Sequence, residues 1–74
     1  MKKFIIRAFV KNNGELVSYL DTDNEIIIRD LKTSRGVLNR VKRMNWDKKV
    51  ELVGIYEELN SKEELCTYYT PKNK

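Results

Sequence analysis

The side chains that most often carry chemistry are sparse in this chain. Its 74 residues contain no histidine and a single cysteine, Cys66. Without histidine there is no Ser-His or Cys-His pair, no imidazole metal ligand and no imidazole general base. Cys66 follows Glu63 and Glu64 rather than cations, so nothing nearby would stabilise a thiolate. It is expected to act as a small buried or half-buried apolar residue. A lone cysteine also excludes an internal disulfide and a multi-cysteine zinc site. Asp21 and Asp23 start like a calcium loop, but no glycine follows at the sixth position. Glu57-Glu58 and Glu63-Glu64 are acidic pairs of the kind usually solvated around a turn. The sequence therefore predicts no catalytic residue, no metal and no cofactor.

The chemistry that remains is that of surfaces. Net charge is +4, but it is segmented: residues 1–14 carry +4, 15–30 carry −4, 31–46 carry +5, 47–64 carry −3 and 65–74 carry +2. The most basic stretch, KTSRGVLNRVKRMNW, contains Lys32, Arg35, Arg40, Lys42 and Arg43 and no acid. Such a set of cations can neutralise phosphates and release counterions. Lys32, Arg35, Asn39, Arg40, Lys42 and Arg43 are the candidate nucleic-acid contacts. A solvated helix back would read the same way, since Lys and Arg are good helix formers. The second candidate surface combines Arg7, Phe9, Val17 and Tyr19 with Ile5, and it suits a protein interface better than base stacking.

These residues need elements to hold them. Lys32–Trp46 has the helical period, with Val37, Leu38, Val41 and Met44 in one arc. Thr33 or Ser34 can cap its start and Asn45 can stop it in the left-handed conformation. Gly36, in the first turn, marks a close approach or, with Ser34 and Arg35, an anion site; the full phosphate-loop spacing is absent. Trp46 is expected to plug the end of the core.

Lys3–Lys11 alternates as a strand, with Phe4, Ile6, Ala8 and Val10 on one face. Asn12-Asn13-Gly14 marks a hairpin to a second strand, Glu15–Leu20. The preferred register has a three-residue loop, pairing Val10 with Leu16, Ala8 with Ser18 and Ile6 with Leu20. A two-residue turn would instead pair Val10 with Val17 and Ala8 with Tyr19. Asp21-Thr22-Asp23-Asn24 reads as a turn and Glu25–Asp30 as a third strand. Lys48–Leu59 is a longer interior strand, with Val50 and Leu52 on one face and Val53 and Ile55 on the other. Gly54 marks a bulge or close contact. Ser61-Lys62-Glu63-Glu64 matches a capping box, but a turn and a short edge strand at 65–70 are preferred. Pro71 ends that strand, and 71–74 is expected to fray.

The sum is one small α+β domain over 1–74. It has an antiparallel sheet of four to five strands, in the order β-β-β-α-β-(β), with one amphipathic helix on one face. The leading hairpin, third strand and helix resemble in architecture the small three-stranded arm-type DNA-binding domains of phage and transposon integrases. Here the sheet is less basic and a long strand follows the helix, so no residue role carries over. The expected function is a non-enzymatic nucleic-acid-binding accessory module that uses the basic helix. The alternative is a protein-binding accessory or inhibitor of the phage or mobile-element kind, using the aromatic sheet face, with a second copy of the chain as one such partner. No stretch is long enough to span a bilayer, and no signal-peptide pattern follows Met1. The cytoplasm is the expected location and a membrane is not an expected partner.

Overall fold

The computed structural model describes residues 2–19 and 26–71. The expected turn at 21–24, with its aspartates, and the tail at 72–74 lie outside them. Five strands and one helix follow in the order β1 Lys3–Asn12, β2 Glu15–Ser18, β3 Ile26–Ile28, α1 Ser34–Lys42, β4 Val50–Leu59 and β5 Lys62–Tyr69. All strand pairs are antiparallel. The fold is the expected α+β arrangement, with the fifth strand present.

β1 organises the sheet. One of its edges pairs with β4 along most of its length. The other edge is shared: β3 pairs with Phe4–Ile6 and β2 with Phe9–Asn12. β5 completes the far side by pairing with β4. β4 is therefore interior, as its two apolar faces predict.

The hairpin register corrects the preferred one. Val10 faces Val17 and Phe9 faces Ser18, and the Tyr19 amide donates to the Ala8 carbonyl at 2.8 Å. The turn is the two-residue Asn13-Gly14, with φ of 55° and 83°. Positive φ at both positions matches the twist of the strands, and Asn-Gly adopts it at low cost.

Phe4, Ile6 and Ala8 point to the helix side, where Val53, Ile55, Ile28 and Val50 join them with Val37 and Val41 from the helix. Burying one such side chain fully is worth about 1.5–3 kcal/mol, so this layer is the main apolar contribution. Leu31, Leu38, Trp46 and Tyr69 pack around it. A bulge at Glu51, which the β1–β4 register skips, turns Val50 to the same side as Val53 and Ile55. That corrects the expected grouping of Val50 with Leu52.

The helix is shorter than its period. Thr33 caps it, its hydroxyl accepting from the Gly36 amide at 3.1 Å. Arg43 closes it in right-handed conformation, and Asn45 is not a left-handed stop. The end is tightened by three-residue bonds from the Arg43 amide to Arg40 and from Met44 to Val41. The Trp46 indole also donates to the Val41 carbonyl at 2.8 Å, so it seals both the core and the helix end. Asp47 then accepts from the Lys49 amide at 2.8 Å, and this turn delays β4 from the expected Lys48 to Val50.

β5 starts at Lys62, earlier than expected, and Ser61–Glu64 opens no helix. Asn60 and Ser61 have φ of 53° and 65°, a second two-residue hairpin turn without a glycine. β3 ends at Ile28, short of the expected Asp30, which leaves the sheet to meet the helix; its expected first residue, Glu25, lies outside the described residues.

Candidate interaction surfaces

The helix turns its cations outward because its apolar arc is used by the core. Arg35, Asn39, Lys42 and Arg43 are all exposed. Arg35, Asn39 and Arg43 recur every four residues and form one row, with each step rising about 6 Å along the axis; Lys42 lies beside it. None of the cations Arg35, Lys42 and Arg43 forms an ion pair among the described residues.

Arg40 is placed differently. It lies on the other flank and makes a two-pronged pair with Asp30, at 2.9 Å to each carboxylate oxygen. The guanidinium holds the Asp30 carboxyl below the usual carboxylate range, chiefly through these hydrogen bonds, and Asp30 raises Arg40 in return. Arg40 thus fastens the helix to the segment leaving β3. Lys32 lies before the helix, with Lys2, Arg29, Asp30 and Leu31 around an open depression of about 350 Å³. The Gly36 amide is occupied by Thr33, so the first turn serves its own cap.

The open face of the sheet is built by register. Residues directly paired across an antiparallel sheet share a face. Ile27, Ile5, Tyr56 and Leu65 are paired in succession across β3, β1, β4 and β5 and form one apolar row. Ile5 is 3% exposed although it lies outside the core layer under the helix, while Ile27 and Leu65 are 43% and 56% exposed. Arg7, Gly54 and Tyr68 make the next row, and Phe9 pairs with Leu52 in the one after.

Two cations on this face, Lys3 and Arg7, are paired within the chain. Arg7 donates from Nε and Nη2 to Glu63, at 3.2 and 2.8 Å, and lies over the Tyr56 ring at 5.9 Å. Lys3 pairs with Glu58 at 2.9 Å. A Cβ on Gly54 would lie 2.8 Å from the Tyr56 ring, so the glycine is the seat of that ring, the close contact its position in a strand suggests.

The expected partner surface is split by this geometry. Arg7 and Phe9 lie on the open face. Val17 and Tyr19, opposite Val10 and Ala8, lie on the helix side, at an exposed edge formed by β2. The three-residue loop would have placed all four together. What sequence reasoning missed was the row Ile27–Ile5–Tyr56–Leu65, which the alternation of β1 hinted at and only the register assembles.

Cys66 is exposed, which corrects the expected burial, because β5 bulges there: Leu65 pairs with Tyr56 and Thr67 with Ile55. Partial desolvation and then the nearby Glu57 carboxylate push its thiol up, so it stays protonated. Among the described residues no group of three or more Cys, Asp and Glu could hold a metal, and no helix is long and apolar enough to cross a membrane. Comparison with family models, with curated proteins and with solved structures gives no match.

Proposed function

We propose that this protein is a non-enzymatic module that binds duplex nucleic acid through the outer face of α1. The observation that carries the proposal is the row Arg35–Asn39–Arg43 with Lys42: exposed, held on a rigid element, and without a carboxylate partner among the described residues. An anionic polymer can supply that partner. Lys32 extends the surface beyond the helix start. Phosphate contacts fix position without reading sequence. Asn39, the uncharged member of the row, is the group suited to a two-pronged contact with adenine. Arg40 has a structural role in this account, since its guanidinium is already spent on Asp30.

The test is duplex DNA binding by the variant Arg35→Glu/Arg43→Glu, checked for folding by Trp46 emission. Affinity should fall on the order of tenfold or more at low salt, because two phosphate contacts become repulsions. Unchanged affinity in the folded variant overturns the proposal.

The open face supports a second binding role, to protein. Its apolar row and the exposed Tyr68 suit an interface. They suit stacked bases less well, because the Tyr56 ring is held between Gly54 and Arg7.

A further inference from the structure

We propose that the depression beside the start of α1 binds a phosphomonoester carried on a small apolar or aromatic body. It is lined by Lys2, Arg29, Asp30, Leu31 and Lys32 and holds about 350 Å³, within the usual range of small-molecule sites.

The sheet brings these residues together. Phe4 pairs with Ile28 where β3 meets β1, and continuing that register carries Lys2 opposite Asp30. The wall that follows β3 is pinned at three points. Both oxygens of Asp30 accept from Arg40 at 2.9 Å. Leu31 packs against the core, and its methyls lie 3.9 Å from where a Cβ on Gly36 would be. The Thr33 hydroxyl accepts from the Gly36 amide at 3.1 Å. A wall fixed in this way needs little ordering when a ligand arrives. Arg29 and Lys32 take part in none of these contacts. Both are exposed, and neither forms an ion pair among the described residues.

Charge selects the ligand. Lys2 stands on one side of the depression, Arg29 and Lys32 on the other. The one lining carboxylate, Asp30, is already neutralised by the Arg40 guanidinium. Lys2 has only a long contact with Glu57, at 4.0 Å. A phosphomonoester carries about −1.5 to −2 at neutral pH. Its oxygens suit the planar fork of Arg29 together with the point charges of the two lysines. A carboxylate or a backbone phosphodiester brings a single charge and leaves part of the set unmet. Leu31, half-buried, gives the body of the ligand an apolar surface. The site shares only Lys32 with the nucleic-acid surface and does not rest on that reading.

The experiment is an amide NMR titration of the full chain with phenyl phosphate, with phenol and inorganic phosphate as controls. Saturating shifts are expected at Lys2 and from Arg29 to Lys32, with phenol inert and inorganic phosphate weaker. Arg29→Gln/Lys32→Gln should weaken binding on the order of tenfold or more, since two charge-assisted contacts are lost. Should that variant fail to fold by Trp46 emission, Lys2→Gln on the opposite side should weaken binding in the same sense. Arg35→Glu/Arg43→Glu should leave phenyl phosphate binding unchanged, which separates this site from the helix back. A free phosphomonoester and the terminal phosphate of a nucleic-acid strand share the chemistry. Tighter capture of a duplex with a terminal phosphate than of one without assigns the site to strand ends. Equal or absent capture, with phenyl phosphate bound, assigns it to the free compound. Shifts that do not saturate, that spread over the helix back, or that survive Arg29→Gln/Lys32→Gln overturn the proposal.

Discussion

At the scale of single residues, two positions carry most of the testable chemistry. Ser61 stands at φ 65° in a turn that favours glycine there. A left-handed residue with a Cβ costs about 1–2 kcal/mol, and the flexibility of glycine in the unfolded chain offsets part of that relief. Ser61→Gly should therefore stabilise the protein by about 0.5–1 kcal/mol in urea unfolding; a loss of stability would contradict the turn geometry. The other position is Asp30, whose carboxyl is held low by the Arg40 guanidinium. A carboxylate with a depressed folded value contributes stability above its unfolded value and loses it as pH falls through the folded one. The contribution is thus present at neutral pH and disappears in acid. Arg40→Gln should raise the Asp30 midpoint toward that of a free aspartate in an NMR titration, while duplex affinity changes far less than in the Arg35/Arg43 variant.

At the scale of elements, the sheet depends on one close fit. Tyr56 lies over Gly54, and Arg7 lies over Tyr56. Gly54→Ala should push the ring aside, disturb the Arg7–Glu63 pair and cost about 1–3 kcal/mol by thermal unfolding. An unchanged melting temperature would show that the ring has room to move. The sequence makes some of these elements legible and hides others, for physical reasons. A hairpin at Asn12-Asn13-Gly14 and the helix could be read because local composition signals them: an Asn-Gly pair that favours positive φ, and a period of 3.6; that only Asn13 and Gly14 form the turn could not. The register could not, because a change of one turn residue reverses every face of β2 and only cross-strand packing chooses. The start of β5 was hidden because Ser61–Glu64 has the composition of a helix cap, and pairing with β4 overrides it. Bulges at Glu51 and Cys66 exist only relative to a partner strand, so alternation within one strand misplaces Val50, and the apolar character of a cysteine does not foretell the exposure of Cys66. On the candidate sites, the outward cations were legible as the complement of the apolar arc. The Arg40–Asp30 pair was not, since it depends on where the chain leaves β3.

At the scale of the whole molecule, charge is sorted. Glu57, Glu58 and Glu63 are paired with Lys2, Lys3 and Arg7, whereas Arg35, Lys42 and Arg43 gather on the helix back with no ion pair among the described residues. This separation is the central claim, because a mixed, self-compensating surface would give no ground for a polyanionic partner. The most direct test is fluorescence anisotropy of a labelled DNA duplex titrated with the protein over a series of salt concentrations. Contacts from Arg35, Lys42 and Arg43 to phosphates predict a log–log slope of affinity against salt near −3, and Arg43→Gln should make it shallower by about one. Absence of binding at low salt, or binding whose slope is flat and indifferent to Arg43→Gln, would contradict the account and return the helix back to an ordinary solvated surface.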